Sequence, residues 1–142
     1  MERLTKRADF LRAAVGERWA TTAFVLQART RENAPGAVAR TGFTASRKVG
    51  NAVARNRARR RLKEAARAAL EGLAREGHDY VLVARQGALT HPYRQILDDL
   101  GHAVHMVHAR LDEPQSRRGG ARSRRPAAPG TRRGGGRVNG RS

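Results

Sequence analysis

The stretch KVGNAVARNRARRRLKEAAR, Lys48 to Arg67, constrains this chain more than any other. Gly50-Asn51 is a turn signal, and behind it the apolar period becomes helical. Val53, Ala58, Leu62, Ala65, Ala66, Ala69, Leu70 and Leu73 fall on one broad face, which predicts a helix over 53–74. That face must be buried against another element. The other side is a stripe of cations, Arg55, Arg59 and Lys63 at i, i+4, i+8, widened by Arg57, Arg60, Arg61 and Arg67. Like charges at that spacing destabilise an isolated helix by roughly 0.2–0.5 kcal/mol per pair. A single acid, Glu64, sits among them, so an external polyanion is the expected counter-charge. Nucleic-acid phosphates, which guanidinium forks bind bidentately, fit best. Between Arg55 and Arg57, Asn56 adds a group that both donates and accepts, suited to a base edge or a ribose hydroxyl.

The rest of the chain supplies the partner for the apolar face. Thr5 is placed to cap a helix running to about Val15, with Phe10, Leu11 and Ala14 on one side. Arg18–Thr30 and Val38–Ser46 read as strands around a Pro35-Gly36 turn, and their adjacency predicts an antiparallel hairpin. His78–Arg85 is a continuous apolar run suited to a buried strand. After Pro92, Tyr93, Ile96, Leu97, Leu100, Val104, Val107 and Leu111 outline a last helix. The order is helix, strands, helix, strand, helix, an α+β fold with helices packed on a sheet.

Charge and composition narrow the function. The 142 residues carry a net charge of +18, and residues 115–142 hold half of it with no acid. A folded domain over 1–113 and a disordered Arg/Gly/Pro-rich tail over 114–142 are expected. The absence of cysteine excludes disulfides and thiolate zinc sites and fits a reducing compartment. No secretory h-region or membrane-length apolar run is present, so a cytoplasmic protein is expected. His102, His105 and His108 recur every three residues without a completing carboxylate or thiolate, and read as exposed polar positions rather than a zinc set. Phe10, Trp19 and Phe24 could stack on unpaired bases, although such residues are more often core. No Gly-rich phosphate loop and no serine, cysteine or paired-carboxylate constellation for hydrolysis is evident. These grounds give nucleic-acid binding, with a ribosomal-type RNA binder and a tail-driven DNA compactor among its forms.

TGFTASRKVGNAVARNRARRRLKEAAR resembles the signature of the bacterial ribonuclease P protein subunit, most specifically through K-x-G-N-A-V-x-R-N-R-x-x-R over Lys48–Arg60. RLTKRADF, FVLQAR and HDYVLVAR extend the resemblance over Arg3 to Leu111. It implies a two-layer α/β sandwich in the order helix, three strands, helix, strand, helix. Its four-stranded mixed sheet would include a short strand near Arg18–Ala20 and a left-handed βαβ crossover. It implies a ribonucleoprotein endonuclease that removes the 5′ leader of precursor tRNA. In such an enzyme a large RNA is the catalyst, magnesium is bound mainly by that RNA, and the protein has no catalytic residue. The implied contacts to the catalytic RNA are Lys48, Asn51, Arg55, Asn56, Arg57, Arg59, Arg60, Arg61 and Lys63. Those to the single-stranded leader are Arg7, Phe10, Phe24, Gln27, Arg47 and Lys48. Partners are the catalytic RNA and precursor tRNA, with neither membrane nor DNA expected. The chain departs from the family at Ala14 and Gln27, where some members carry aromatics.

Overall fold

The computed structural model describes residues 1–31 and 36–113. In chain order the elements are β1 (Glu2–Arg3), α1 (Arg7–Ala14), β2 (Glu17–Ala20), β3 (Phe24–Thr30) and β4 (Arg40–Ala45). A 3₁₀ turn (Arg47–Val49), α2 (Ala52–Ala69), β5 (His78–Ala84), α3 (Gly87–Thr90) and α4 (Tyr93–Leu111) follow. The sheet has five strands in the order β1-β4-β5-β3-β2. The expected disordered tail over 114–142 lies outside the described residues, as does Pro35 of the expected turn.

Two expectations about the strands are corrected. β3 and β4 do not form a hairpin, because β5 lies between them, antiparallel to β3 and parallel to β4. The physical reason is composition. His78–Ala84 is apolar on both faces, with Tyr80, Val81, Leu82 and Ala84 buried, so it belongs at the centre of the sheet. The fifth strand is β1, whose Glu2 and Arg3 pair with Arg40 and Thr41 of β4. Two residues are too few to show a period of two.

Alternation along the strands divides the sheet into two faces. Phe24, Leu26, Ala28, Tyr80, Leu82 and Ala84 pack with Ala58, Leu62, Ala65, Ala66 and Leu70 from α2 and its end. Ile96, Leu100, Ala103, Val104 and Val107 of α4 complete this core. The opposite face carries Val81, against which Leu4, Ala13 and Phe10 pack. Among the described residues, α1 is therefore the one helix on the far side of the sheet from α2 and α4. β4, α2 and β5 form a βαβ crossover between parallel neighbours.

Helix α2 survives its charge because its inner face is deeply buried. The pairs Arg55/Arg59, Arg57/Arg61, Arg59/Lys63 and Lys63/Arg67 together cost on the order of 1–2 kcal/mol. Removing Leu62 and Leu70 from water stabilises by about 3–6 kcal/mol. The first helix differs more from expectation. It begins at Arg7 behind Lys6, which makes no side-chain cap, so Thr5 is not its cap. Its inward residues are Asp9, Phe10 and Ala13, while Leu11 and Ala14 are exposed. A buried aspartate takes a place that hydrophobic pattern assigns to a leucine.

Candidate nucleic-acid interface

The entry into α2 is built by two residues. Gly50 has φ +140°, a region that side chains avoid. Asn51 then caps the helix, its Oδ1 accepting from the Ala54 amide at 2.9 Å. Asn51, one of the implied RNA contacts, commits its side-chain oxygen to the helix end and is otherwise exposed. Along the helix, Arg57 and Arg60 are exposed, and Arg55, Arg59 and Lys63 are half-buried. Arg55 Nη1 donates to the Gly50 carbonyl at 2.7 Å, which orients it beside the turn. Arg59 donates to Asn56 Oδ1, so the side-chain oxygen of Asn56 is engaged along the helix while the residue itself is exposed. Arg61 stands apart, since its Nη1 donates to the Ala88 carbonyl at 2.8 Å and ties α2 to α3.

A different set of arginines is neutralised inside the protein. Asp79, fully buried, receives Arg40 Nε on Oδ1 at 2.9 Å and Arg40 Nη2 on Oδ2 at 2.8 Å. Arg29 Nε donates to the same carboxylate at 3.0 Å, and Arg31 Nε approaches it to 3.2 Å. Arg40 also reaches Asp9 at 3.3 Å, where Arg12 approaches to 3.2 Å and Arg29 to 3.7 Å. The hydrogen bond to Asp79 raises the Arg40 pKa further, against the opposing effect of burial. This network fastens α1 to β3, β4 and β5. Sequence reading missed it, because its members lie 39 and 50 residues apart. Among the described residues, no ion pair joins Arg57, Arg59, Arg60 or Lys63 to a carboxylate. The α2 stripe and the buried network are thus two chemically distinct populations of cations.

The α1 face of the sheet forms the second part of the site. Phe10 lies over Gly42, where an added Cβ would stand 2.6 Å from two ring carbons. Gly42, Val81 and Gln27 are register partners across β4, β5 and β3, so Gln27 shares this face with Phe10. Beside it Val83 and Thr44 are also half-buried, leaving a partly open strip between α1 and the end of β4. Arg47 and Lys48 are exposed on the turn that leaves β4, whose Ser46 cap accepts from the Lys48 amide at 3.2 Å. Arg7 is exposed at the start of α1. These placements bring Arg7, Phe10, Gln27, Arg47 and Lys48 to one side of the sheet or its rim.

Phe24 does not join them. It is fully buried in the core under α2 and α4, on the face opposite Phe10, and no base can stack on it. Trp19 is likewise engaged internally, edge-on to His102 and under the Arg110 guanidinium. Nor is His108 an exposed polar position. It is buried, with Nε2 at 2.6 Å from the Tyr80 hydroxyl, which also accepts from the Arg75 amide. Burial pushes the Tyr80 phenol pKa upward. Among the described residues, no three His, Cys, Asp or Glu side chains converge as metal ligands. The carboxylates of Asp9 and Asp79 are occupied by arginines. Neither of these two carboxylates is free to ligate a magnesium ion. No described helix is long and apolar enough to cross a membrane.

Known proteins resemble this chain in sequence and in fold. The family model described as Ribonuclease P matches residues 1–108. The ribonuclease P protein component of Ruegeria pomeroyi is 49% identical over 107 residues, 75% of this chain and 86% of that protein. Its counterpart in Caulobacter vibrioides is 48% identical over 111 residues, 78% of this chain and 74% of that one. Among solved structures, a Staphylococcus aureus RNase P protein mutant, described as defective in mRNA degradation, superposes with TM-score 0.62 at 29% identity. That match covers 75% of this chain and 87% of the other. The Thermotoga maritima RNase P protein gives TM-score 0.56 at 27% identity, over 70% of this chain and 92% of the other. With a mixed sheet and helices matching these proteins and the arginine stripe on α2, the chain belongs to the ribonuclease P protein family.

Proposed function

We propose that this chain is the protein subunit of a ribonuclease P ribonucleoprotein, which cleaves the 5′ leader from precursor tRNA. The observation that carries the reading is the division of its cations. Asp9 and Asp79 absorb one set, while Arg57, Arg59, Arg60 and Lys63 are presented on α2 with no internal acid. Such a stripe meets phosphates of a folded RNA, with Arg55 held at the turn and the Asn56 amide available to a base or ribose. On the other side of the sheet, Phe10 offers a ring to an unpaired leader base. Gln27 contributes an amide, and Arg7, Arg47 and Lys48 contribute charge.

The division of labour assigns chemistry to the RNA. Magnesium, held mainly by that RNA, would activate water on the scissile phosphodiester. The protein neutralises RNA charge and grips the leader, so it favours precursor over mature tRNA and broadens the substrates accepted. The test is to purify the full chain from its own cells and sequence the bound RNA. Recovery of the catalytic RNA together with leader-bearing precursors supports the reading. Recovery of ribosomal RNA alone would replace it with a ribosomal-type binder.

A further inference from the structure

The basic stripe of α2 does not end on the helix. β1 is the outermost strand, next to β4, and α2 packs over β4 and β5. In β1 the chain alternates, and Leu4, just beyond it, is buried on the α1 face with Ala13 and Val81. Arg3 is therefore turned to the α2 face, in register with Thr41 and, across it, with Tyr80 of the main core. This brings an exposed arginine from the N-terminus beside the outer flank of α2, where Arg59, Lys63 and Arg67 recur at four-residue spacing. Glu2, its neighbour, is exposed and alternates to the other face.

The charges at this edge repel one another. Lys63 is half-buried, and burial first, then Arg3, Arg59 and Arg67, lowers its pKa. All three charged neighbours acting on it are cations. Among the described residues, none of the four cations forms an ion pair with a carboxylate. A fold that gathers four cations from two distant segments around a partly desolvated ammonium gains nothing from their mutual repulsion. A bound anion removes that cost, and a phosphodiester meets both forks and ammonium.

We propose that Arg3, Arg59, Lys63 and Arg67 form a phosphate-binding site at the β1 edge of the sheet, occupied by the backbone of the catalytic RNA. The site extends the RNA footprint from the helix onto the N-terminal strand and makes β1 part of the interface. It rests on the functional reading above. It also fixes the relation between the two RNAs, since Arg3 lies on the α2 side of the sheet and Phe10 on the other.

The test uses the full chain and its catalytic RNA, with Arg3→Gln, Arg3→Lys and Arg57→Ala compared over a range of potassium chloride concentrations. Arg3→Gln is expected to weaken binding and to lower the slope of log affinity against log salt by about 0.7–0.9, the loss of one phosphate contact. Arg3→Lys is expected to retain that slope, and thermal melting of the free protein is expected to stay the same in both variants. A photo-crosslinker at position 3 is expected to label the catalytic RNA rather than the leader. If Arg57→Ala weakens binding while Arg3→Gln changes neither affinity nor slope, the β1 site is wrong and the general reading stands. If none of the substitutions affects binding, the general reading fails as well. Labelling of the leader from position 3 would also overturn the assignment.

Discussion

Phe10 and Gly42 are in such close contact that the α1 ring occupies the space where any other residue's Cβ would stand, 2.6 Å from two ring carbons. The contact crosses from helix to sheet and sets the depth at which the ring sits in the cleft. Gly42→Ala should push the ring outward, at a cost of about 1–3 kcal/mol for overpacking. The expected outcome is a reduced affinity ratio of precursor over mature tRNA, with binding to the catalytic RNA retained. Phe10→Ala should reduce the same ratio, and Arg57→Ala should weaken catalytic-RNA binding instead. Parallel binding titrations with precursor, mature tRNA and catalytic RNA separate these effects. Equal losses for all three substitutions in every titration would contradict this division.

The Asp79 network makes a separate prediction about stability. Asp79→Asn leaves Arg29, Arg31 and Arg40 around a neutral amide at a fully buried position. Breaking such a buried pair costs about 3–5 kcal/mol, measurable as a lower urea midpoint. Because Asp9 shares Arg40 with Asp79, Asp9→Asn should be partly redundant with it. A double-mutant cycle should show a smaller loss for the pair than the sum of the single losses.

The buried Tyr80 hydroxyl predicts an alkaline limit. Its pKa is raised by burial, so above pH ~10 the unfolded chain ionises while the folded one resists. The stability that depends on the neutral phenol is present below that pH and is lost as pH rises through the folded value. Tyr80→Phe should remove this component of the alkaline slope. At neutral pH it should cost about 1–3 kcal/mol, because the Arg75 amide and His108 lose a buried partner. Urea unfolding of both proteins at neutral and alkaline pH checks the sign and the size.

What was legible in the sequence follows the range of the interactions. Helix α2 and its cationic stripe were readable because both are local and periodic. Asn51 carried a local signal too, since the residue just ahead of a helical period is a cap position, and its role at the helix end follows from that. The expectation of Phe24 at the leader conflicts with a rule the sequence does contain. Phe24 and Gln27, three apart in one strand, must face opposite sides, so both could not line one cleft. The central place of β5 was foreshadowed by its two apolar faces. The Arg40–Asp79 pair and the approach of Arg3 to Lys63 were not legible, because each joins segments that only the sheet order brings together.

Reconstitution is the most direct measurement of the central claim. Precursor tRNA cleavage by the organism's catalytic RNA is followed at low magnesium, with and without the full chain. The account predicts that the protein lowers the magnesium requirement and tightens precursor over mature tRNA, and that combined Arg57→Ala and Arg60→Ala substitution abolishes both effects by preventing assembly. Cleavage and precursor preference that are the same with and without the protein would contradict it.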